Sequence, residues 1–167
     1  MHGQIADALG YGLSMQDDTP NERHAGFTVQ VTIDCADPHG LADWWADTLR
    51  WEVEPQDEGL IRSMIEQGHA NEADTCTHRG ALVWREGAAI RPAGEPTAGQ
   101  PRMLFQLVGE PKTVKNRVHL DVRPTTDDLE RLRVELVARG ATVVGGGRQG
   151  PHEWVTFADP EGNEFCL

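Results

Sequence analysis

His119 stands in the stretch RVHLDV with Arg117 and Asp121 two positions to either side. In a strand, alternate side chains share a face, so these three groups project together while Val118, Leu120 and Val122 turn toward a core. Histidine titrates near neutrality, which suits it to act as a general base or as a donor that orients a ligand. The same alternation also describes a solvated sheet face. Cys166, in NEFCL, is a nucleophile if a base within reach lowers its pKa, and otherwise an inert thiol. HANEADTCTH gathers His69, Glu72, Cys76 and His78 but lacks the paired spacing of a zinc site, and reads as a polar loop. Lys112, Lys115 and Arg117 either attract an anion or are the solvated charges of a linker.

Strands and helices must position these groups, and their pattern is legible. FTVQVTIDCAD alternates, with Val29, Val31, Ile33 and Cys35 on one face and Gln30, Thr32 and Asp34 on the other. DPHGLADWWADTLRW follows as a helix with Asp37 as N-cap and proline at its first position. Its apolar face carries Leu41, Trp44, Trp45 and Leu49. WEVEP, RGALVWREGAAI and RMLFQLV supply further strands, with an additional short helix in EGLIRSMIEQGHA. After GEPKTVKN the order restarts: RVHLDV is a strand, TTDDLERLRVELVARG a helix, and ATVVGGG, HEWVTFAD and NEFCL are strands. Strand, helix and three strands therefore occur twice, an internal repeat of architecture. Residues 1–26 form an extension outside this scheme, in which IADALGYGL predicts a short helix weakened by two glycines.

The totals narrow the function classes. The 167 residues carry 15 Lys and Arg against 27 Asp and Glu, a formal net charge of −12. That excess repels phosphate backbones, so nucleic acid is not an expected partner. Three cysteines without CxxC spacing do not build a disulfide framework. No apolar run approaches the ~18 residues of a membrane span, and the amino-terminal stretch lacks the pattern of a signal peptide. A protein of the cytoplasm is the expectation, with no membrane partner.

DCADPHGLADWW opening one βαβββ module and ADPEGNEFCL closing the other resemble the vicinal-oxygen-chelate superfamily, which includes glyoxalase I, extradiol dioxygenases, fosfomycin-modifying enzymes and bleomycin-binding proteins. EPKTVKNRVHLDV together with DPEGNEFCL is similar to its glyoxalase-like subgroup. The resemblance spans residues 27–167, with module one at about 27–110 and module two at about 113–167. It implies an α+β fold of two βαβββ modules whose sheets enclose a concave cavity, and many members pair as homodimers. Trp44 and Trp45 are then core or dimer contacts.

Enzyme members hold a divalent metal with four side chains, and those positions fall here on Gln30, Gln106, His119 and Cys166. Two neutral amides, an imidazole and a thiol are a poor set for a hard cation, although Glu164 shares the face of Cys166 as a substitute. No cofactor is therefore expected, with a divalent metal as the alternative. The resemblance places Gln30, Thr32, Gln106, Arg117, His119, Asp121, Trp154, Thr156, Glu164 and Cys166 on the cavity side, where Trp154 either forms a wall or covers a sheet edge. The expected function is binding of an uncharged or mildly polar small molecule, with His119 as the catalytic candidate if there is turnover. A metal-dependent lyase or isomerase, and an antibiotic-sequestering protein, are the alternatives.

Overall fold

The computed structural model describes residues 29–97, 99–125 and 128–167. The extension at residues 1–26, with its expected helix, lies outside the described residues. In chain order the elements are β1 (Val31–Cys35), α1 (Pro38–Leu49), β2 (Trp51–Val53), α2 (Glu58–Glu66), a 3-10 turn (Glu72–Asp74), β3 (Thr75–His78), β4 (Ala81–Trp84), β5 (Gly87–Pro92) and β6 (Met103–Leu107). There follow β7 (Leu120–Asp121), α3 (Leu129–Ala138), β8 (Thr142–Gln149), β9 (His152–Ala158) and β10 (Glu164–Cys166).

Two four-stranded sheets result, ordered β1-β6-β5-β2 and β7-β10-β9-β8. Each joins its first and last strands in parallel, β1 with β6 and β7 with β10. The expected α+β architecture of two βαβββ units is therefore present. Between its second and third strands the first unit carries an insertion of α2 and the hairpin β3-β4. Part of HANEADTCTH, expected to be loop, is strand: Thr75–His78 pairs antiparallel with Ala81–Trp84. Arg79 and Gly80 close the hairpin at φ 50° and 84°, the doubly left-handed geometry that matches the twist of a two-residue hairpin turn.

Helix α1 begins as its sequence dictates. The Asp37 carboxylate accepts from the Gly40 amide at 3.0 Å and Pro38 occupies the first turn. A Cβ on Gly40 would lie 2.3 Å from Asp37 Oδ2, so this cap has no room for a side chain. Arg50, in the left-handed region, ends the helix and turns the chain directly into β2.

The buried face of α1 joins the two units. Trp44 and Trp45 pack edge-on against Phe165 of β10, with ring centroids 5.9 and 5.1 Å away, and Phe157 of β9 stacks on Phe165. A single core thus runs from Cys35, Leu41 and Phe105 of the first unit to Leu136, Phe157 and Phe165 of the second. Both tryptophans are core residues. Polar contacts reinforce the junction. The Trp45 indole N–H donates to the buried Asp159 at 3.0 Å, and the Glu161 carboxylate accepts from the Ala36 and Asp37 amides at 2.6 and 2.7 Å. DCADP and DPEGN, far apart in sequence, therefore meet in space.

Candidate functional site

β1 and β7 are outer strands of their respective sheets. Where they face one another a cavity of about 650 Å³ opens, walled by β1, by residues 108–120 and by Glu161, Asn163 and Glu164. On β1, Thr32 and Asp34 alternate with Val31 and Ile33, whose opposite face joins the core. Across the opening stand Val118, His119 and Arg117.

The expected linker PKTVKN is part of the wall. Glu164 Oε1 accepts from Lys112 Nζ and Oε2 from the Asn116 amide, each at 3.0 Å, while Asn116 Nδ2 donates to Asn163 Oδ1 at 3.2 Å. Burial alone would push the Glu164 carboxyl up; the Asn116 amide and the Lys112 ammonium outweigh it and hold that carboxyl below its usual range. Glu164 is thus committed to positioning this segment, not held ready to replace Cys166 as a ligand. Of the three cations in the segment, Lys112 is paired with Glu164, Lys115 reaches the Asn116 carbonyl at 3.3 Å, and exposed Arg117 lines the cavity.

His119 sits at the junction of the cavity with β7. Its Nδ1 lies 3.1 Å from Asp121 Oδ1 and 3.8 Å from Cys166 Sγ, and Cys166 Sγ lies 3.6 Å from Thr156 Oγ1. Sheet register makes these meetings: Cys166 is the partner of Asp121 on one side and of Thr156 on the other. Asp121 and Cys166 approach the same ring nitrogen. A thiol–imidazole–carboxylate relay uses both nitrogens, one toward the nucleophile and one toward the orienting carboxylate. This arrangement is therefore not a nucleophilic triad.

The remaining expected residues are placed elsewhere. Gln30 lies at the entry to β1, where its amide oxygen accepts from Arg102 and its Nε2 reaches Thr32 Oγ1 at 3.3 Å; Arg102 in turn grips Glu54. Gln106 stands opposite Asp34. Four positions separate Gln30 from Asp34, so the backbones at Gln30 and Gln106 are offset by about 13 Å along the strands at ~3.3 Å per residue. Of the four positions carried over from the superfamily, the structure brings His119 and Cys166 together. Trp154 lies over Gly147 of β8, where a Cβ would come within 2.3 Å of its ring, and it is not among the residues lining the cavity. Asp34, Asn116 and Glu161 belong to the site without having been singled out. The β1 alternation already placed Asp34 beside Thr32, whereas the contacts of Asn116 and Glu161 are set by loop geometry that periodicity does not encode.

Cys35, at the end of β1, borders the cavity but donates to the Gln106 carbonyl at 3.6 Å. Burial, then the carboxylates of Glu161, Asp37, Asp159 and Asp34, push its thiol from 9.0 to about 12. The thiolate is the reactive form. In the folded protein at pH 9, iodoacetamide is expected to leave Cys35 unmodified while labelling the less buried Cys76 and Cys166, as read by peptide mass mapping. Alkylation of Cys35 at a rate matching theirs would contradict this placement.

A search of curated proteins finds no match to the chain. Solved structures share its fold. A hypothetical protein from S. aureus aligns with a TM-score of 0.53 at 12% identity, over 86% of this chain and 93% of that one. A mutant of the fosfomycin resistance protein FosX from Listeria monocytogenes, complexed with Mn(II) and 1S,2S-dihydroxypropylphosphonic acid, aligns with a TM-score of 0.54 at 10% identity, over 87% and 92%. FosX from Mesorhizobium loti gives 0.50 at 11% identity, over 87% and 91%. The glyoxalase-like domain family matches residues 30–167. With its paired βαβββ units and that match over most of its length, the chain belongs to the glyoxalase-like domain family of the vicinal-oxygen-chelate superfamily.

Proposed function

We propose that the protein binds a small, uncharged or mildly polar organic molecule in the cavity between β1 and β7. The observation that carries this reading is the lining itself. An open pocket of about 650 Å³ is lined by apolar residues such as Val108, Val114 and Val118 and by polar and charged residues in similar number, within the ~300–1,000 Å³ typical of small-molecule sites. Thr32 and His119 face the space from opposite sides and supply orienting hydrogen bonds. The carboxylates of Asp34, Glu110, Glu161 and Glu164 outnumber the cations Lys112 and Arg117, and Lys112 is already paired, which disfavours a strongly anionic ligand. The reading does not depend on a metal quartet: Gln30 accepts from Arg102 and Gln106 stands opposite Asp34. A lyase or isomerase activity is the second reading, favoured by the position of His119 on the cavity with Asp121 against its ring.

Replacement of Thr32 by tryptophan tests the site directly. Neutral hydroxylated and heteroaromatic fragments, screened by saturation-transfer NMR, are expected to bind the native protein and to lose at least about tenfold in affinity in Thr32→Trp, equivalent to ~1.4 kcal/mol. Fragments that bind both proteins equally would place the ligand elsewhere.

A further inference from the structure

Resting on the cavity reading above, we propose that the ligand is a short, extended, peptide-like chain held by main-chain hydrogen bonds along the open edge of β1. Hydrogen-bond accounting within the sheet carries this. In a parallel pair, one residue sends both its N–H and its C=O to the partner strand, and its chain neighbours send theirs the other way. The Val31 N–H donates to the Arg102 carbonyl at 3.1 Å, and the Val108 N–H to the Cys35 carbonyl at 2.9 Å. With Val31 opposite Met103 and Cys35 opposite Leu107, the main-chain groups of Val31, Ile33 and Cys35 face β6. Those of Thr32 and Asp34 face the cavity, and among the described residues β1 has no strand on that side. β7 repeats the arrangement. The Val122 N–H donates to the Cys166 carbonyl at 2.9 Å and Leu120 is the partner of Phe165, so the main chain of His119 turns away from β10 toward the cavity.

An unpaired strand edge is a template for another strand. This one lies in a pocket whose far wall is formed by residues 108–120, which admits a short chain and not a sheet. Thr32 and Asp34 each offer one donor and one acceptor, about 6.6 Å apart at ~3.3 Å per residue, which is the repeat of an extended peptide. Just past the end of β1, the Ala36 N–H donates to Glu161 Oε2 at 2.6 Å. A carboxylate of the second unit thus does there what a partner strand's carbonyl would do, and it marks the limit of the free edge. Side chains set the remaining preference. Glu164 is committed to Lys112 and the Asn116 amide, and Glu161 to the Ala36 and Asp37 amides. Asp34 and Glu110 then stand against Arg117, so an uncharged chain is preferred over an acidic one. Val108, Val114 and Val118 favour small apolar side chains on it.

Acetylated and amidated tetrapeptides of alanine, valine and threonine, titrated into the isotope-labelled full chain and followed by amide nitrogen–proton correlation NMR, test this. The amide protons of Thr32 and Asp34 are expected to shift downfield and to gain protection from exchange. Those of Ile33 and Cys35, which already face β6, should change less. Of the two alternately N-methylated forms of the best binder, at least one is expected to lose about tenfold in affinity, since methylation removes the donors along one edge. Thr32→Pro deletes a cavity-facing donor while sparing the ladder with β6, and a similar loss is expected; if that variant does not fold, the methylated peptides still decide. Equal affinity of the parent and both methylated peptides overturns the proposal, as do shifts confined to residues outside β1 and β7. Fragments from the screen above that bind the cavity when no peptide does overturn the peptide class and leave the cavity reading standing. If neither binds, both fall.

Discussion

Asp159→Ala is expected to lower the unfolding free energy by about 1–3 kcal/mol or more, since several buried donors lose their acceptor. The carboxylate is 2% exposed. It accepts from the Trp45 indole at 3.0 Å, from the Glu161 and Asn163 amides at 3.0 and 2.9 Å, and from Asn163 Nδ2. Alanine leaves these donors without an acceptor, and an unsatisfied buried donor costs about 1–3 kcal/mol. Asp159→Asn keeps one oxygen but turns an NH₂ toward either the indole or the loop amides, and an intermediate loss is expected. Urea unfolding monitored by tryptophan fluorescence measures both. A loss below about 1 kcal/mol in Asp159→Ala would mean that the loop holds its shape without the carboxylate.

His119→Ala is expected to act on binding and not on the fold. The imidazole is 42% exposed and its contacts are Asp121, itself at the surface, and Cys166. Removing it should change stability by no more than about 0.5–1 kcal/mol. Toward a ligand in the cavity, the ring offers a hydrogen bond from the β7 side. Loss of one hydrogen bond to a chargeable group is worth about 1.5–3 kcal/mol, or ~10- to 150-fold in affinity. Dissociation constants for the fragment hits, with circular dichroism as the folding control, separate the two effects. A variant that unfolds non-cooperatively while the remaining folded protein binds normally would make His119 a structural residue.

The elements that carry a strong period were legible. VTIDC alternates with no exception, the Asp-Pro start of α1 carries both an N-cap and a first-turn proline, and the repetition of strand, helix and three strands exposed the paired architecture. Strand β3 was missed because Thr75, Cys76, Thr77 and His78 show no apolar alternation. Its stability comes from pairing with β4 and from the small core of Ile61, Ala70 and Trp84 beneath the insertion, so the Gly80 turn was the one readable signal. RVHLDV reads as a full strand, yet the ladder holds Leu120 and Asp121. Its other edge faces the cavity, and half of the pairing that would extend it is absent there.

Site residues were legible by face but not by position. A period of two tells which side of β1 carries Gln30, Thr32 and Asp34, and tells nothing about which of them stands beside Gln106. That depends on the parallel register of β1 with β6, which puts Asp34 there and leaves Gln30 to Arg102. Asp121 was expected beside His119 for the same periodic reason, and its carboxylate lies 3.1 Å from that ring. Its approach to Cys166 depends on the pairing of β7 with β10, a contact between residues 45 positions apart.

The bond from Trp45 to Asp159 joins residues separated by 114 positions, and this has a consequence for synthesis. As the chain leaves the ribosome, α1 emerges long before Phe157, Asp159 and Phe165 exist. Throughout that interval Trp44 and Trp45 lack their partners from β9 and β10, presenting a sticky aromatic face to other nascent chains and to chaperones. The core of the first unit is therefore incomplete until β9 and β10 have been made. Closure of its core waits on the late-made DPEGNEF segment, so translation speed across the intervening hundred codons sets how long the tryptophans stay uncovered.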